Sequence, residues 1–249
     1  MKSKPHYGYY ALPIMTGLSA LIILAGLLVF LFAMRIIGII ILAFGVYLVA
    51  SYGISIHFMR QDRAEDVSEI LKLAGNENVL DVGCGLGKLT NGIAKQLNDG
   101  KVIGIDIWDK MEIPGNSAEK AYENAEIEGV RDKVEFSFGN VLDIPFPDTT
   151  FDLVTSSSVL NNLNGMDEKL NALEEIYRVT KPGGRLLLVE PLRNLRGFFA
   201  FTPFAFWMLL KKDDWIRLLQ QSNFVVHDYL YRYGVGWFVV ERPISAESV

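Results

Sequence analysis

The fold of this chain is decided by the stretch Val79-Leu80-Asp81-Val82-Gly83-Cys84-Gly85-Leu86-Gly87. Its first four residues place apolar side chains around one acidic side chain, which is typical of a buried parallel strand. Three glycines at alternate positions follow, and glycine is favoured where the backbone adopts positive φ or approaches a ligand closely. The stretch therefore predicts a strand, a tight glycine loop and a helix that begins near Lys88.

Two common nucleotide-binding motifs do not fit this spacing. A dinucleotide-binding loop has the pattern G-x-G-x-x-G/A, but Lys88 stands where the third small residue is required. A P-loop requires a glycine where Val82 stands, and Ser or Thr where Leu89 follows Lys88. Cys84 is the single cysteine, which excludes an intrachain disulfide and a cysteine metal cluster. We interpret Cys84 as a small loop residue and not as a nucleophile.

Apolar residues are concentrated at the amino terminus. Of the 249 residues, 50% are hydrophobic and 21% are charged, and the mean hydropathy is +0.23. Between Pro5 and Met59 the only full charge is Arg35, whereas the rest of the chain has the composition of a soluble domain. A net charge of −5 and a pI near 5.3 argue against nucleic-acid binding, which favours a basic face.

Two uncharged segments within residues 1–59 predict a transmembrane hairpin. Residues 11–34 and 36–56 contain 24 and 21 residues, and one span requires about 20 apolar residues. A single helix over both segments would reach roughly 70 Å, more than twice the thickness of the hydrocarbon core. We therefore expect two transmembrane helices with a turn near Arg35, followed by a separate domain in residues 60–249.

The basic residues at the two ends of the hairpin predict its orientation. Lys2 and Lys4 precede the first span, and Arg60, Arg63 and Lys72 follow the second. The positive-inside rule places both ends, and the domain that follows, on the cytoplasmic side. Several tyrosines are candidates for interfacial anchors, and several glycines allow close helix packing. They are Tyr7, Tyr9, Tyr10, Tyr47 and Tyr52, and Gly17, Gly26, Gly38 and Gly45.

Three further strands follow the glycine loop, and polar residues stand at their ends. Residues 101–107 form an apolar strand, and Asp106 near its end can accept hydrogen bonds from both hydroxyls of a ribose. Residues 134–138 alternate as a third strand, which Asn140 follows. A fourth strand leads to Ser157, at the carboxyl edge where open α/β sheets bind ligands.

The order of these segments resembles that of the class I S-adenosylmethionine-dependent methyltransferases, in particular the quinone-biosynthesis type. Residues 151–154, and the helix, Pro-Gly-Gly turn and strand of residues 174–185, resemble the same family. The resemblance covers about residues 60–242. It implies a Rossmann-like, doubly wound α/β sheet of seven strands, S-adenosyl-L-methionine as cofactor, and no metal. It implies cofactor contacts by Asp81, Gly83, Cys84, Gly85, Gly87, Asp106, Ile107, Trp108, Asn140, Val141 and Ser157.

The chain departs from this family at three asparagines. Asn140 stands where most relatives have aspartate, and its amide oxygen can accept the same bond from the adenine amino group. Asn161 and Asn162 stand where relatives often have a histidine pair. Neither asparagine can act as a general base. Both are candidates for catalytic residues by residue type only, and the general base of the reaction is not assigned.

An aromatic insert, residues 198–207, distinguishes this chain. It contains five phenylalanines and one tryptophan, with Arg193 and Arg196 before it and Lys211 and Lys212 after it. The uncharged run is too short to span a bilayer. Aromatic residues between basic ones are typical of a segment in the membrane interface. The alternative is an aromatic cap over the substrate pocket, as the corresponding insert forms in relatives.

We interpret the chain as a membrane-anchored methyltransferase for an apolar small molecule or lipid of the bilayer. The acceptor stays open between a quinone precursor, a phospholipid headgroup and an isoprenoid headgroup, as do the methylated atom and the oligomeric state. Direct attack on an activated methyl group requires mainly alignment. Two alternatives are a cofactor-binding membrane adaptor without catalysis and a methyltransferase for a soluble or protein substrate.

Overall fold

The computed structural model describes residues 4–9, 12–59, 67, 70–200, 206–232 and 234–244. The helices are α1 (Leu12–Phe32), α2 (Arg35–Met59), α3 (Lys88–Ala94), α4 (Ala118–Glu128), α5 (Gly165–Val179), α6 (Leu195–Ala200) and α7 (Lys212–Gln221), with a 3₁₀ turn at Leu160–Asn162. The strands are β1 (Asn78–Val82), β2 (Lys101–Asp106), β3 (Val134–Phe138), β4 (Phe151–Ser157), β5 (Thr180–Pro191), β6 (Val225–Arg232) and β7 (Val235–Glu241).

The strands form one mixed sheet in the order β3-β2-β1-β4-β5-β7-β6. Strands β1 to β5 are parallel, and β7 runs antiparallel to its neighbours β5 and β6. The strand order reverses between β1 and β4, and the ligand crevice of an open α/β sheet lies at such a point. The predicted seven-stranded sheet is confirmed in the described residues.

Two apolar layers cover the sheet, one on each face. Val79 of β1 packs into one layer with Ile93 of α3. Leu80 packs into the other layer with Ile176 of α5 and Trp215 of α7. Successive residues of a strand point to opposite faces, so β1 is buried from both sides and reads as an apolar run. The helices on both faces make the sheet doubly wound.

The two amino-terminal helices form a hairpin with a tight turn at Ala33 and Met34. Both helices are long and apolar enough to cross a membrane by length and composition, with mean hydropathies of 2.6 and 2.2. Only 11% and 22% of these apolar segments are buried against the rest of the chain. Most of their apolar side chains therefore face outward.

Glycines let the two hairpin helices approach closely. A Cβ atom on Gly38 would lie 2.4 Å from the backbone nitrogen of Phe30, so no larger residue fits without a backbone shift. Gly17, in contrast, has nothing within 4 Å of such an atom. The predicted close packing is confirmed at Gly26, Gly38 and Gly45, and is wrong at Gly17.

The Pro-Gly-Gly segment differs from the prediction of a turn between helix and strand. Strand β5 begins at Thr180 and continues through the segment. Gly183 has a φ of 76°, and its nitrogen donates to the oxygen of Arg242 at 2.7 Å. The Arg242 nitrogen donates to the oxygen of Gly184 at 2.9 Å. These ladder bonds keep the irregular segment within the strand.

Part of the predicted features lies outside the described residues. This applies to Lys2, Tyr10, Arg60, Arg63 and residues 201–205 of the aromatic insert. The helix predicted at residues 61–73 is described only in part. Val67, Ile70 and Leu71 are helical, and Val67 and Leu71 are fully buried, as the predicted period requires.

Arg178 of α5 holds residues 144–148, which lie between β3 and β4. Its guanidinium donates to both carboxylate oxygens of Glu175, to the Asp148 carboxylate, and to the backbone oxygens of Ile144 and Phe146, at 2.8 to 2.9 Å. A planar guanidinium with five N–H donors is suited to this combination of contacts, and an ammonium group is not.

Arg178→Lys should lower the free energy of unfolding by about 1–3 kcal/mol, because lysine leaves carbonyl and carboxylate acceptors unsatisfied. Urea unfolding of the full chain in detergent, followed by the fluorescence of the buried Trp215 and Trp237, measures the change. Lys120→Ala is the control, because Lys120 and its partner Glu123 are more than half exposed and contribute little. Equal midpoints for Arg178→Lys and the wild type would contradict this role.

Candidate functional site

The carboxyl ends of β1, β2 and β4 border a cavity of about 300 Å³. It lies where the strand order reverses, as expected for an open α/β sheet. Nine of the eleven predicted cofactor residues line it: Asp81, Gly83, Cys84, Gly85, Asp106, Ile107, Asn140, Val141 and Ser157. The structure does not place Gly87 or Trp108 in its wall.

The glycine loop requires its glycines for two reasons. Gly83, Gly85 and Gly87 have φ values of 69°, 50° and 82°, which side chains rarely adopt. A Cβ atom on Gly83 would also lie 2.2 Å from a methyl group of Val159. Gly87 packs closely against the ring of Phe136, where a Cβ atom would lie at 2.8 Å. Gly87 therefore serves the packing of the loop and not the cavity surface.

Asp81 is a buried carboxylate between the glycine loop and the sheet. The hydroxyl of Thr90 donates to one of its oxygens at 2.6 Å, and the hydroxyl of Thr155 donates to the other at 2.8 Å. Burial raises the pKa of Asp81 to about 6, and the two hydroxyl bonds limit this rise. Asp81 thus connects β1 to α3 and β4, and its oxygens are already bonded within the protein.

Asp106 connects the end of β2 to the glycine loop. One of its carboxylate oxygens accepts from the Gly85 nitrogen at 2.8 Å. The other accepts from the Trp108 nitrogen at 2.7 Å and from the amide of the buried Asn116 at 3.1 Å. A carboxylate offers about four acceptor positions, so these bonds orient Asp106 and leave some capacity for a ligand.

The residues predicted to contact adenine divide into two groups. Ile107 lines the cavity and is 51% exposed, whereas the Trp108 ring packs on the core layer that contains Val79. The geometry therefore favours Ile107 for an adenine contact. Asn140 lines the cavity too, although its amide oxygen already accepts from the Leu142 nitrogen at 3.0 Å.

The two asparagines considered for catalysis lie in different surroundings. Asn161 is buried outside the cavity wall, where its amide donates to Glu190 at 2.8 Å and its oxygen accepts from the Leu210 nitrogen at 3.3 Å. Asn162 lines the cavity, and its amide donates to Glu112 at 3.5 Å. Asn161 is therefore a structural residue, and Asn162 stays a candidate for contact with a substrate.

Sequence reasoning missed two carboxylates at this site. Glu112 is half-buried and lines the cavity, and burial followed by repulsion from Asp109 and Asp106 raises its pKa. Glu190 is fully buried at the end of β5, and it accepts from the backbone nitrogen of Leu160 at 2.8 Å. Burial raises the pKa of Glu190 to about 7. The position of Glu190 near the end of a predicted strand could have pointed to it, whereas no sequence pattern pointed to Glu112.

Tyr7 also lines the cavity, which corrects its prediction as an anchor at the membrane interface. Its hydroxyl accepts from the buried amide of Asn91 on α3 at 3.4 Å. This contact joins residues far apart in the sequence, so no local pattern could have predicted it. The described part of the chain contains no group of three His, Cys, Asp or Glu residues that could hold a metal ion.

The domain around this cavity matches a known family. Residues 80–188 match a family model described as a methyltransferase domain. Over 157 residues the chain is 36% identical to the demethylmenaquinone methyltransferase of Symbiobacterium thermophilum. This match covers 62% of this chain and 59% of that protein, so the chain spans less than two thirds of the length of its relative.

Solved structures share the fold at lower sequence identity. An S-adenosylmethionine-dependent methyltransferase from Aquifex aeolicus has a TM-score of 0.59 and 23% identity, and the match covers 71% of this chain and 88% of that chain. The cyclase SpnF has a TM-score of 0.60 and 21% identity, and the match covers 73% and 81%. Because a cyclase shares the fold, the fold alone does not identify the reaction. The family match concerns the reaction: residues 80–188 match a methyltransferase domain, and the Aquifex aeolicus structure that shares this fold is an S-adenosylmethionine-dependent methyltransferase.

Asp106→Ala should weaken cofactor binding about 10- to 100-fold, because a hydrogen bond to a charged group contributes ~1.5–3 kcal/mol. The substitution removes the acceptor for the ribose hydroxyls and releases the Gly85 nitrogen. Asn116→Ala removes only one donor to Asp106 and should have a smaller effect. Calorimetry with S-adenosylmethionine on the full chain in detergent measures both. Unchanged affinity in Asp106→Ala would exclude the predicted ribose contact.

Proposed function

We propose that this chain is an S-adenosylmethionine-dependent methyltransferase, that residues 1–59 anchor it in a membrane, and that it methylates an apolar small molecule or lipid of the bilayer. The observation that carries the proposal is the contact between the hairpin helix α2 and helix α6, where the aromatic insert begins. The similarity to a demethylmenaquinone methyltransferase supports a quinone-like acceptor. The domain would then lie on the cytoplasmic side, where the basic residues around the hairpin place it.

In this proposal the residues around the cavity fit the cofactor. Asp106 would accept from the ribose hydroxyls, Ile107 and Val141 would lie against the adenine ring, and Asn140 would bond its amino group. The glycine loop offers backbone without side chains, since a Cβ atom on Gly83 would collide with its surroundings. The bound cofactor supplies an activated methyl group, so the main task of the protein is alignment.

Helix α6 lies beside the interior of the second predicted span. The Tyr47 hydroxyl donates to the backbone oxygen of Phe198 at 3.2 Å, and the Ser51 hydroxyl donates to that of Phe199 at 2.9 Å. Tyr47 and Ser51 precede the end of α2 at Met59 by 12 and 8 residues, or about 18 and 12 Å at 1.5 Å per residue. Unpaired carbonyls are costly in hydrocarbon. These two bonds satisfy two of the four carbonyls that the end of a short immersed helix leaves open.

The apolar side chains around the insert face outward. Phe199 is 55% exposed and Trp207 is 76% exposed, and Leu195 and Met208 are also more than half exposed. An internal cap would bury such side chains, so their exposure favours the membrane over the alternative of a closed cap. Tyr47, which we predicted as an interfacial anchor, would instead hold the insert at this depth.

The base of the insert adjoins the cavity. The Arg193 nitrogen donates to the oxygen of Leu210 at 2.8 Å, which closes the segment between them into a loop. The Leu210 nitrogen in turn donates to Asn161, whose neighbour Asn162 lines the cavity. An apolar acceptor that leaves the bilayer along the insert would therefore have a short path to the methyl group.

Glu112 is our candidate for the proton acceptor. Methylation of a ring carbon or a hydroxyl releases a proton, and Glu112 lines the cavity beside Asn162. Its raised pKa makes it a better base than an exposed glutamate. Only the ionised carboxylate accepts a proton, so the rate should fall as the pH drops through this raised pKa.

The proposal predicts that the full chain in lipid nanodiscs transfers label from the cofactor methyl group into a lipid extract and not into soluble protein. Glu112→Gln should lower turnover about 100-fold or more, because general-base catalysis contributes ~10²–10⁴-fold, and should remove the fall in rate at low pH.

The double variant Phe199→Ser and Trp207→Ser should lower transfer to the apolar acceptor with unchanged cofactor affinity.

Phe138→Ser is the matched control for the aromatic variants. Phe138 is 68% exposed at the end of β3, distant in sequence from the hairpin and the insert, so its removal should leave transfer unchanged. Label in soluble protein would favour the alternative of a protein substrate. Cofactor binding without any transfer would favour the adaptor, and full activity of the double aromatic variant would exclude the insert from handling the acceptor.

The orientation of the hairpin can be measured by labelling single cysteines in intact cells. Cysteine in place of Arg35 should react with an impermeant reagent from outside, because Arg35 opens α2 at the outer turn. Cysteine in place of Lys4 should react only after permeabilisation. Cys84 is buried and adds little background. The reverse pattern would place the domain outside the cell, away from its methyl donor, and would overturn the proposed location.

A further inference from the structure

The segment before the first hairpin helix packs against the methyltransferase domain. We call residues 4–9 the strap. The His6 nitrogen donates to the side-chain oxygen of Asn124 at 2.9 Å, and the Asn124 amide donates back to the His6 oxygen at 3.0 Å. The same amide donates to the Leu86 oxygen at 3.0 Å. The buried Asn124 side chain thus fastens the strap to the glycine loop through α4.

Tyr7 brings the strap into the cavity wall. The Tyr7 hydroxyl accepts from the amide of Asn91 on α3 and also interacts with the carboxylate of Glu128 on α4. Burial raises the pKa of Tyr7 above its usual range, so the hydroxyl stays protonated at neutral pH. Because protein groups hold the hydroxyl, the aromatic ring is the part of Tyr7 that a bound molecule would meet.

Gly8 lets the strap pass between the two loops that border the cavity. It has a φ of 64°, and a Cβ atom there would lie 2.7 Å from Ile113 and 3.3 Å from Leu86. Ile113 and Leu86 both line the cavity, one from the loop after β2 and the other from the glycine loop. The strap therefore bridges the two loops that hold the predicted cofactor residues.

The strap is also tied to the hairpin by its place in the chain. Helix α1 begins at Leu12, three residues after the strap ends. Three residues of extended chain reach at most about 10 Å. The start of the first predicted span therefore cannot move far from the cavity while the strap keeps its contacts.

We propose that the strap forms the outer wall of the cofactor cavity and that Tyr7 is a cofactor-binding residue, so that cofactor affinity depends on the segment that leads into the membrane. The proposal rests on S-adenosylmethionine as the cofactor, and is independent of which acceptor is methylated. In this arrangement the hairpin does more than anchor the domain. It holds in place one wall of the site that binds the methyl donor.

The test measures S-adenosylmethionine affinity by calorimetry on the full chain in detergent. Tyr7→Ala should weaken binding about 10-fold, equal to ~1.4 kcal/mol, because it removes an aromatic wall. Tyr7→Phe keeps the ring and should stay within about 3-fold of the wild type. Asn124→Ala lies outside the cavity wall and should weaken binding as Tyr7→Ala does, because it releases the strap.

Phe32→Ala is the control, because Phe32 is an aromatic residue at the end of α1 that lies outside the strap, is 82% exposed and does not line the cavity. It should bind the cofactor as the wild type does. Urea unfolding followed by tryptophan fluorescence checks that all variants keep the folded domain. In the wild type the cofactor should also slow hydrogen exchange of the strap amides, which a merely structural strap would not show.

Two outcomes would contradict the proposal. Wild-type affinity in both Tyr7→Ala and Asn124→Ala would exclude the strap from the cofactor site. Strap exchange that does not change on addition of cofactor would exclude contact between them. A wild-type chain that binds no S-adenosylmethionine would instead overturn the assignment of the cofactor, which separates the failure of that premise from the failure of the strap.

Discussion

The sheet and the site both depend on one buried carboxylate. Asp81 of β1 lies in register with Gly104 of β2 and Thr155 of β4, and it accepts hydrogen bonds from the hydroxyls of Thr90 and Thr155. Burial of a carboxylate is costly without such partners. Its pKa is raised to about 6, so its contribution to stability is full below about pH 4 and is lost as the pH rises through 6. The bond between Asp81 and Thr90 joins β1 to α3, and it thereby fixes both ends of the glycine loop between them.

Local sequence patterns were sufficient for the parts of the site that sit on the sheet. The apolar run of β1 and the alternate glycines specify a strand and a loop with positive φ, and the structure has both. The prediction for Asp106 succeeded in placing it beside the loop, because the carboxyl ends of parallel strands meet at one edge. Its role toward a ribose stays a prediction.

Contacts between distant segments could not be predicted in this way. His6 and Asn124 are 118 positions apart, and Tyr47 and Phe198 are 151 apart. Tyrosine near the end of an apolar segment is equally typical of an interfacial anchor and of a side chain that meets a partner. The residue that the tyrosine contacts decides which of these two roles it has, and that residue lies on a different helix. Tyr7 and Tyr47 were therefore both assigned to the membrane surface, although one lines the cavity and the other binds α6.

Asn161 stands where the family resemblance predicts a histidine, and its contacts at the base of the insert give a physical reason for an asparagine there. Asn161 donates to Glu190 at 2.8 Å and to the oxygen of Pro191 at 2.9 Å, and it accepts from the Leu210 nitrogen at 3.3 Å. A carboxamide provides two donors and one acceptor at once, whereas the two ring nitrogens of a histidine can form only two such bonds. Asn161 thus connects the carboxyl end of β5 to the segment that closes the aromatic insert.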